Sequence, residues 1–231
     1  HIQGGEVTGN IDEKVRHANT KLADYHFVSS KNSYDRVIKL GENPKYVFNV
    51  GCPSIDLALQ VKKNKKNLIE LNNKYPGIGA NINIKDPYIV VMQHPVTNEY
   101  FQSKIQIEKT LDAVEKLNIP TFWFWPNVDA GSDGTSKGIR SFRERNSFAK
   151  IKFLKNMEPK DFLYLIYNSE CLIGNSSVGI RESSFLGVPV VNIGSRQNRR
   201  DRGNNVIDVD YDSNQILDAI KKSIKNPRPE P

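Results

Sequence analysis

Four stretches of the chain gather residues able to hold a phosphate or move a proton. GNSSVGIRE (174–182) sets small residues ahead of two serines and an acid. Small residues let the backbone approach a ligand. Ser176 and Ser177 then place hydroxyls and free N–H groups at a helix start, where the amides and the helix dipole stabilise a phosphate. Glu182, further along the same helix, has the chemistry to accept from a sugar hydroxyl, as acids do on nucleotide riboses in other α/β folds. An ordinary serine N-cap followed by a surface glutamate accounts for the same letters.

VVMQHPVT (90–97) puts His94 at the end of an apolar run. In open α/β sheets that strand end is where ligands bind. Imidazole there donates to a phosphate or acts as acid or base near neutral pH; a histidine simply hydrogen-bonded in a turn before Pro95 is the plainer alternative. HIQGGEVTGNIDEKVRH (1–17) combines Gln3, Glu6 and Asp12 with three glycines. Carboxylates beside a flexible glycine loop suit proton abstraction from a carbon acid once their proton affinities are tuned. Asp12 is equally a good cap for the helix that follows. SRQNRRDRG (195–203) holds four arginines in nine residues. Such a loop clamps a diphosphate bidentately or lies solvated; it lacks the interleaved aromatics of single-strand nucleic-acid binders. The lysine run at 62–66 reads as a solvated helix face. WFWPN (123–127) reads as core, with Asn127 at its carboxyl end as the exception.

Strands and helices must alternate to position these stretches. Helical periodicity over 12–24 gives way to a strand at 25–30, a helix at 30–41 with a Ser or Asn cap and Gly41 as its stop, and a strand at 45–53. A basic helix follows over 55–75, a loop over 76–86 and a buried strand over 87–95. Residues 103–118 carry Ile107, Leu111, Val114 and Leu117 at the spacing of a surface helix. An aromatic strand spans 120–127, and 128–149 is polar and weakly helical. Strand 149–156, helix 160–170, strand 171–177, helix 178–187 and strand 188–194 come next. A short strand at 205–210 and an amphipathic helix at 213–226 close the pattern. This alternation predicts an α/β fold with a doubly wound, Rossmann-like parallel sheet. Residues 51–212, which hold the strands from 87 onward, read as one nearly complete open α/β domain and the candidate for binding a nucleotide. Residues 1–50 are too few for a core of their own and read as the tail of an incomplete preceding domain, and 213–231 reads as a closing helix and tail.

The chain has 231 residues, 38% of them hydrophobic and 26% charged. That balance excludes a disordered or membrane-spanning class. Cys52 and Cys171 are too few for a disulfide framework or a CxxC metal site, so no metal is expected and a reducing compartment is the default. A net charge of +7 suits a phosphorylated substrate as well as it suits nucleic acid.

Taken in order, HIQGGEVTGNIDEKVRHANTKLADYH, VGCPSID, QHPVT, PNVDAGS, IGNSSVGIRE and SRQNRRDRG resemble the hydrolysing UDP-N-acetylglucosamine 2-epimerases, in particular the branch serving sialic-acid-type pathways. The resemblance covers nearly the whole sequence. It implies a two-domain, glycosyltransferase-B-like fold with most of the first domain lacking from this chain. It also implies a cytoplasmic enzyme, homo-oligomeric at full length, that needs no cofactor and has neither nucleic acid nor membrane as partner. The implied reaction eliminates UDP from UDP-N-acetylglucosamine, or a related UDP-2-acetamido sugar, as the proton at C2 leaves. Water then adds to the glycal, giving an N-acetylmannosamine-type sugar. By the resemblance, Asp12 is a catalytic acidic position and His94 the active-site histidine that protonates or stabilises the leaving phosphate oxygen. Ser176 and Ser177, with Gly179, bind the diphosphate, Glu182 the ribose, Arg200 the phosphates, and Asn127 offers a polar contact in the cleft. One departure stands out: the third residue of the glycine-loop motif is commonly Glu or His in relatives, and here it is Gln3. An amide cannot carry a proton, so Glu6 substitutes for it or the position serves by hydrogen bonding alone. A UDP-sugar glycosyltransferase of similar fold and a non-catalytic nucleic-acid-binding module are the alternative readings.

Overall fold

The computed structural model describes residues 1–8, 11–64 and 66–230. Gly9 and Asn10 of the glycine-loop motif, Lys65 of the lysine run and Pro231 of the tail lie outside the described residues.

Residues 1–50 contain α1 (Ile11–Leu22), β1 (His26–Val28), α2 (Lys31–Lys39) and β2 (Val47–Asn49). Strands β1 and β2 pair in parallel, and Ile2 adds a parallel bridge to Phe27 on the other side of β1. The glycine loop therefore does follow a stretch of strand pairing. Ser30 caps α2 by accepting from the Ser33 N–H. Val28, Val37 and Val47 form a small buried cluster with Tyr34 and Ile38 packed against it.

The rest builds one sheet. Helices α3 (Pro53–Lys63) and α4 (Leu68–Lys74) lead into β3 (Ile78–Gly79) and β4 (Ile89–Met92). After α5 (Ser103–Leu117) come β5 (Thr121–Phe124), α6 (Ser132–Arg145), β6 (Ile151–Leu154), α7 (Pro159–Tyr167) and β7 (Leu172–Gly174). Then come two short helices, α8 (Ser177–Ile180) and α9 (Glu182–Leu186), followed by β8 (Val190–Ile193), β9 (Val206–Val209) and α10 (Ser213–Lys225).

The strand order is β3-β6-β5-β4-β7-β8-β9, with β3 antiparallel to β6 and all other pairs parallel. The six parallel strands thus run outward in both directions from the β4–β7 pair, the doubly wound order of Rossmann-like sheets. Period-two alternation sorts the strand residues between two cores. Val90, Phe122, Phe124, Leu172 and Val190 pack with residues of α3, α7 and α9. Ile89, Val91, Trp123, Ile173 and Val191 pack with residues of α5, α6 and α10. Both faces are covered, which is why these strands read as near-continuous apolar runs.

Three expectations change. The sheet has seven strands among the described residues where the sequence offers six, because the segment expected as a loop at 76–86 supplies the two-residue β3. The helix expected over 55–75 is two helices, the second capped by Asn67, which accepts from the Ile69 N–H. The closing helix is no appendage: Ile216, Ala219 and Ile220 of α10 sit in the second core. Among the described residues, no helix is long and apolar enough to cross a membrane.

Candidate active site

The carboxyl ends of β4 and β7, where the winding reverses, are the ligand-binding edge of such a sheet. His94 lies two residues past β4. The neighbouring Gln93 is pinned by a hydrogen bond from the Thr110 hydroxyl, 2.6 Å, on α5. Gly174 ends β7 with φ of +131°, and a Cβ there would fall 2.1 Å from the Met92 carbonyl oxygen. Only glycine permits the two strands to approach so closely at the edge.

His94 is held at its backbone and its ring. Its N–H donates to Asn175 Oδ1 at 2.7 Å, and Asn175 Nδ2 donates to its carbonyl at 2.8 Å. The Asn127 N–H donates to His94 Nδ1 at 3.1 Å. With Nδ1 an acceptor, the network assigns the proton of the neutral ring to Nε2. Burial, with the Arg196 guanidinium adding to it and Asp129 opposing, lowers the ring's pKa to about 4. His94 is therefore neutral at pH 7, a hydrogen-bond donor through Nε2 rather than a charged acid. The Asn127 backbone N–H supports His94, and its side-chain amide donates to Asp129. Asp129 in turn lies 3.5 Å from Arg196.

Ser176 occupies the N-cap position of α8, yet its side chain makes no capping bond. The plain cap reading of this serine thus loses its bond. Ser177 Oγ accepts from Arg181 Nη2 at 3.1 Å. The single helix expected over 178–187 is broken at Arg181, whose backbone (φ −102°, ψ −78°) leaves the helical ladder between α8 and α9. Four residues sum to little macrodipole, so local amides and hydroxyls, not a helix dipole, are what this turn offers an anion. Gly179 faces the sheet: a Cβ there would meet Val190 Cγ1 at 2.9 Å, and its N–H is spent on the Ser176 carbonyl. It packs α8 against β8 and makes no ligand contact through a side chain. Glu182 opens α9 and is 7% exposed, with Oε2 buried and unpartnered, 3.7 Å from Arg181 Nε.

The other candidates line the cleft between residues 1–50 and the large sheet. A cavity of about 210 Å³ there is bounded by Glu6, Ser29, Arg36, Cys52, Arg181 and Arg200, among others. Arg200 Nη2 donates to Glu6 Oε2 at 2.9 Å, while Nε and Nη1 of the same guanidinium are buried without partners. Burial pulls the Arg200 guanidinium below its ordinary pKa, against the pull of Glu6. Gln3 has φ of +61°. Its Nε2 donates to Cys52 Sγ at 3.1 Å, and its Oε1 accepts from Arg181 Nη1 at 3.1 Å. Asp12 stands in the exposed first turn of α1 and is not one of the residues that bound the cavity. The N–H at the loop's end, on Thr8, is taken by Glu13 Oε2 at 2.8 Å. The glycine loop is less free than its composition suggests. Gly5 sits against α2, where a Cβ would fall 2.2 Å from the Ser33 carbonyl oxygen, and its own carbonyl accepts from Arg36.

The structure thus gathers Gln3, Glu6 and Arg200 at the cleft, and His94, Asn127 and the serine turn at the switch point. Asn175, Arg181, Arg196, Gln197 and Cys52 belong to the same region and were not singled out in the sequence. All five stand inside motifs already quoted, so proximity in sequence was the one signal available for them.

The chain is 34% identical over 99% of its length to the UDP-N,N'-diacetylbacillosamine 2-epimerase (hydrolyzing) of Legionella pneumophila, of which it covers 58%. It is 37% identical over 96% of its length to the polysialic acid biosynthesis protein P7 of Escherichia coli, of which it covers 55%. The solved UDP-GlcNAc 2-epimerase of Neisseria meningitidis, bound to UDP-GlcNAc, superposes with a TM-score of 0.75 at 18% identity. That match takes in 96% of this chain and 60% of the other. At such identity the likeness is one of fold, glycosyltransferase-B-like. The chain spans a little over half the length of these relatives. Residues 1–230 match the UDP-N-acetylglucosamine 2-epimerase family, and the chain belongs to that family.

Proposed function

We propose that this chain carries the nucleotide-binding part, and much of the catalytic cleft, of a hydrolysing 2-epimerase acting on UDP-N-acetylglucosamine or a related UDP-2-acetamido sugar. One observation carries the reading. Buried polar atoms without a hydrogen bond, Nε and Nη1 of Arg200 and Oε2 of Glu182, the last ion-paired with Arg181 at 3.7 Å, belong to the loop and the helix that flank the switch point. Buried donors and acceptors are nearly always satisfied, and a nucleoside diphosphate supplies the groups these lack: phosphate oxygens for Arg200 and a ribose hydroxyl for Glu182. The unused Ser176 hydroxyl adds a donor for the diphosphate.

In this reading the diphosphate lies on the Ser176–Ser177 turn with Arg200 against it. His94, neutral and protonated at Nε2, donates to the phosphate oxygen that leaves C1. Glu6 and Asp12 serve the C2 centre. One, as a carboxylate, takes the C2 proton as the C1–O bond breaks; the other, as a carboxylic acid, delivers its proton to the opposite face of C2 while water adds its hydroxyl at C1 and releases its remaining proton to solvent. UDP-sugar and water are consumed, and UDP and the free 2-epimeric sugar are formed. Gln3 carries no proton; held at both ends of its amide, it orients the cleft. The hydrolysing character is supported by the Legionella relative's name, and a sialic-acid-type product by that of the Escherichia coli relative.

Calorimetry of this chain with UDP, uridine and inorganic diphosphate tests the reading. UDP is expected to bind at least about tenfold tighter than uridine, since charge-assisted hydrogen bonds contribute about 1.5–3 kcal/mol each. Equal affinity for UDP and uridine would remove the diphosphate from the site.

A further inference from the structure

Asn175 follows β7 directly and is fully buried. Its side chain reaches a segment 81 residues away in sequence, the turn that carries His94, and satisfies both backbone groups of that residue. An amide so placed acts as one more strand residue, extending the pairing of β4 and β7 past the point where Gly174 ends it. The Asn175 backbone bonds in two further directions. Its N–H donates to the Met92 carbonyl at 3.2 Å, and its carbonyl accepts from Gln197 Nε2 at 2.7 Å and Arg196 Nη1 at 3.3 Å. One buried residue therefore ties the His94 turn to the basic loop at 195–203.

The geometry points to Asn175 as a positioning residue that fixes the His94 ring and, through its carbonyl, seats Arg196 beside it. The inference rests on the proposed function for the importance of His94. Asn175 itself is too enclosed to meet a substrate. The amide is specific to the task, because it offers one acceptor to the His94 N–H and one donor to the His94 carbonyl. Aspartate keeps the acceptor, has no donor and sets a negative charge against that carbonyl. Alanine keeps neither. In either variant the turn loosens, the ring loses its register with the Asn127 N–H, and it gains water. Asn175→Ala adds no charge and leaves Arg196 and Asp129, the charged groups that face the ring, in the chain, so in that variant a change in titration reports position and solvation.

The test uses ¹⁵N spectra of the four histidine side chains, with the His94 signal identified by its loss in His94→Gln. The unsubstituted chain is expected to show His94 with Nδ1 unprotonated, Nε2–H present and a titration well below those of exposed histidines. In Asn175→Ala the titration midpoint should rise by about one pH unit or more, as the burial that depresses it is relieved. UDP affinity should fall in the same variant. A folded Asn175→Ala protein whose His94 keeps both its tautomer and its midpoint overturns the inference. Should that variant not fold, the unsubstituted chain decides. The His94 amide should then exchange with solvent roughly 100-fold or more slowly than an unstructured one, and unprotected exchange overturns the inference. None of the histidine or exchange measurements needs a ligand. Failure of the unsubstituted chain to bind UDP would sink the function reading and leave the role of Asn175 to be judged on its own result.

Discussion

Ser176 and His94 make opposite uses of their surroundings. Ser176 sits where a cap bond is expected and does not make it, so its hydroxyl is available to a ligand. Replacing Ser176 and Ser177 together by Ala removes two hydroxyls and keeps the backbone amides. UDP affinity should fall by roughly one to two orders of magnitude, given about 1.5–3 kcal/mol for a hydrogen bond to a charged group. Uridine should bind the variant as it binds the unsubstituted chain. Equal losses for both ligands in calorimetry would make the serines purely structural. His94, in contrast, has its backbone groups and Nδ1 occupied, and its pKa of about 4 against an ordinary 6.5 makes folding depend on pH. The unfolded chain takes up a proton near pH 6.5, and the folded chain only near 4. Stability is therefore unaffected by this group above that window and falls as the pH is lowered through it, by about 3 kcal/mol at most. Urea midpoints at pH 7 and pH 4.5 should drop less for His94→Gln than for the unsubstituted chain. An identical drop would mean that His94 is not held neutral. These residues were legible as candidates because their motifs stand out in one dimension. The residue that holds His94 was not, because the Asn175 contact joins positions 81 apart and no local pattern announces it.

At the scale of elements, strands buried on both faces and helices with one apolar stripe were readable from periodicity, and each came within a few residues of its expected ends. What escaped has a physical cause in each case. β3 is two residues long, too short to show a period. The break between α3 and α4 follows from Asn64 and Asn67, polar residues whose preference for caps competes with helix continuation. The kink at Arg181 coincides with a long-range bond from its guanidinium to Gln3, which propensity cannot foresee, beside a local one to Ser177. The element junction with least tolerance is the end of β7. Gly174→Ala should cost about 3 kcal/mol or more, from a disallowed φ and a clash with the Met92 carbonyl. Because that junction aligns His94 with the serine turn, UDP affinity should fall with stability. A variant with unchanged urea midpoint would show that β4 and β7 do not meet as closely as described.

For the molecule as a whole, the two parts of the chain meet through polar contacts: Glu6 with Arg200, Gln3 with Arg181 and Cys52, and Asn32 with Asp201. Polar junctions between parts of a chain permit relative motion more readily than apolar ones, and this one crosses the cleft that the substrate would enter. Glu6 holds the guanidinium that the account assigns to phosphate. Glu6→Gln removes that competing charge, so UDP should bind the variant a few-fold tighter, roughly 3- to 10-fold. An unchanged affinity in calorimetry would take Arg200 away from the phosphates. The large sheet and its switch point followed from the alternation of elements. The cleft did not, because it is made by residues from both ends of the chain.

The central claim is that a proton leaves C2 of a UDP-2-acetamido sugar in this cleft and another is returned. The most direct measurement is proton NMR of UDP-N-acetylglucosamine in deuterated water with the full-length protein. The account predicts free UDP, a free sugar inverted at C2, and deuterium at that carbon in every product molecule. Product that keeps its original hydrogen at C2, or UDP released with the sugar uninverted, would contradict it.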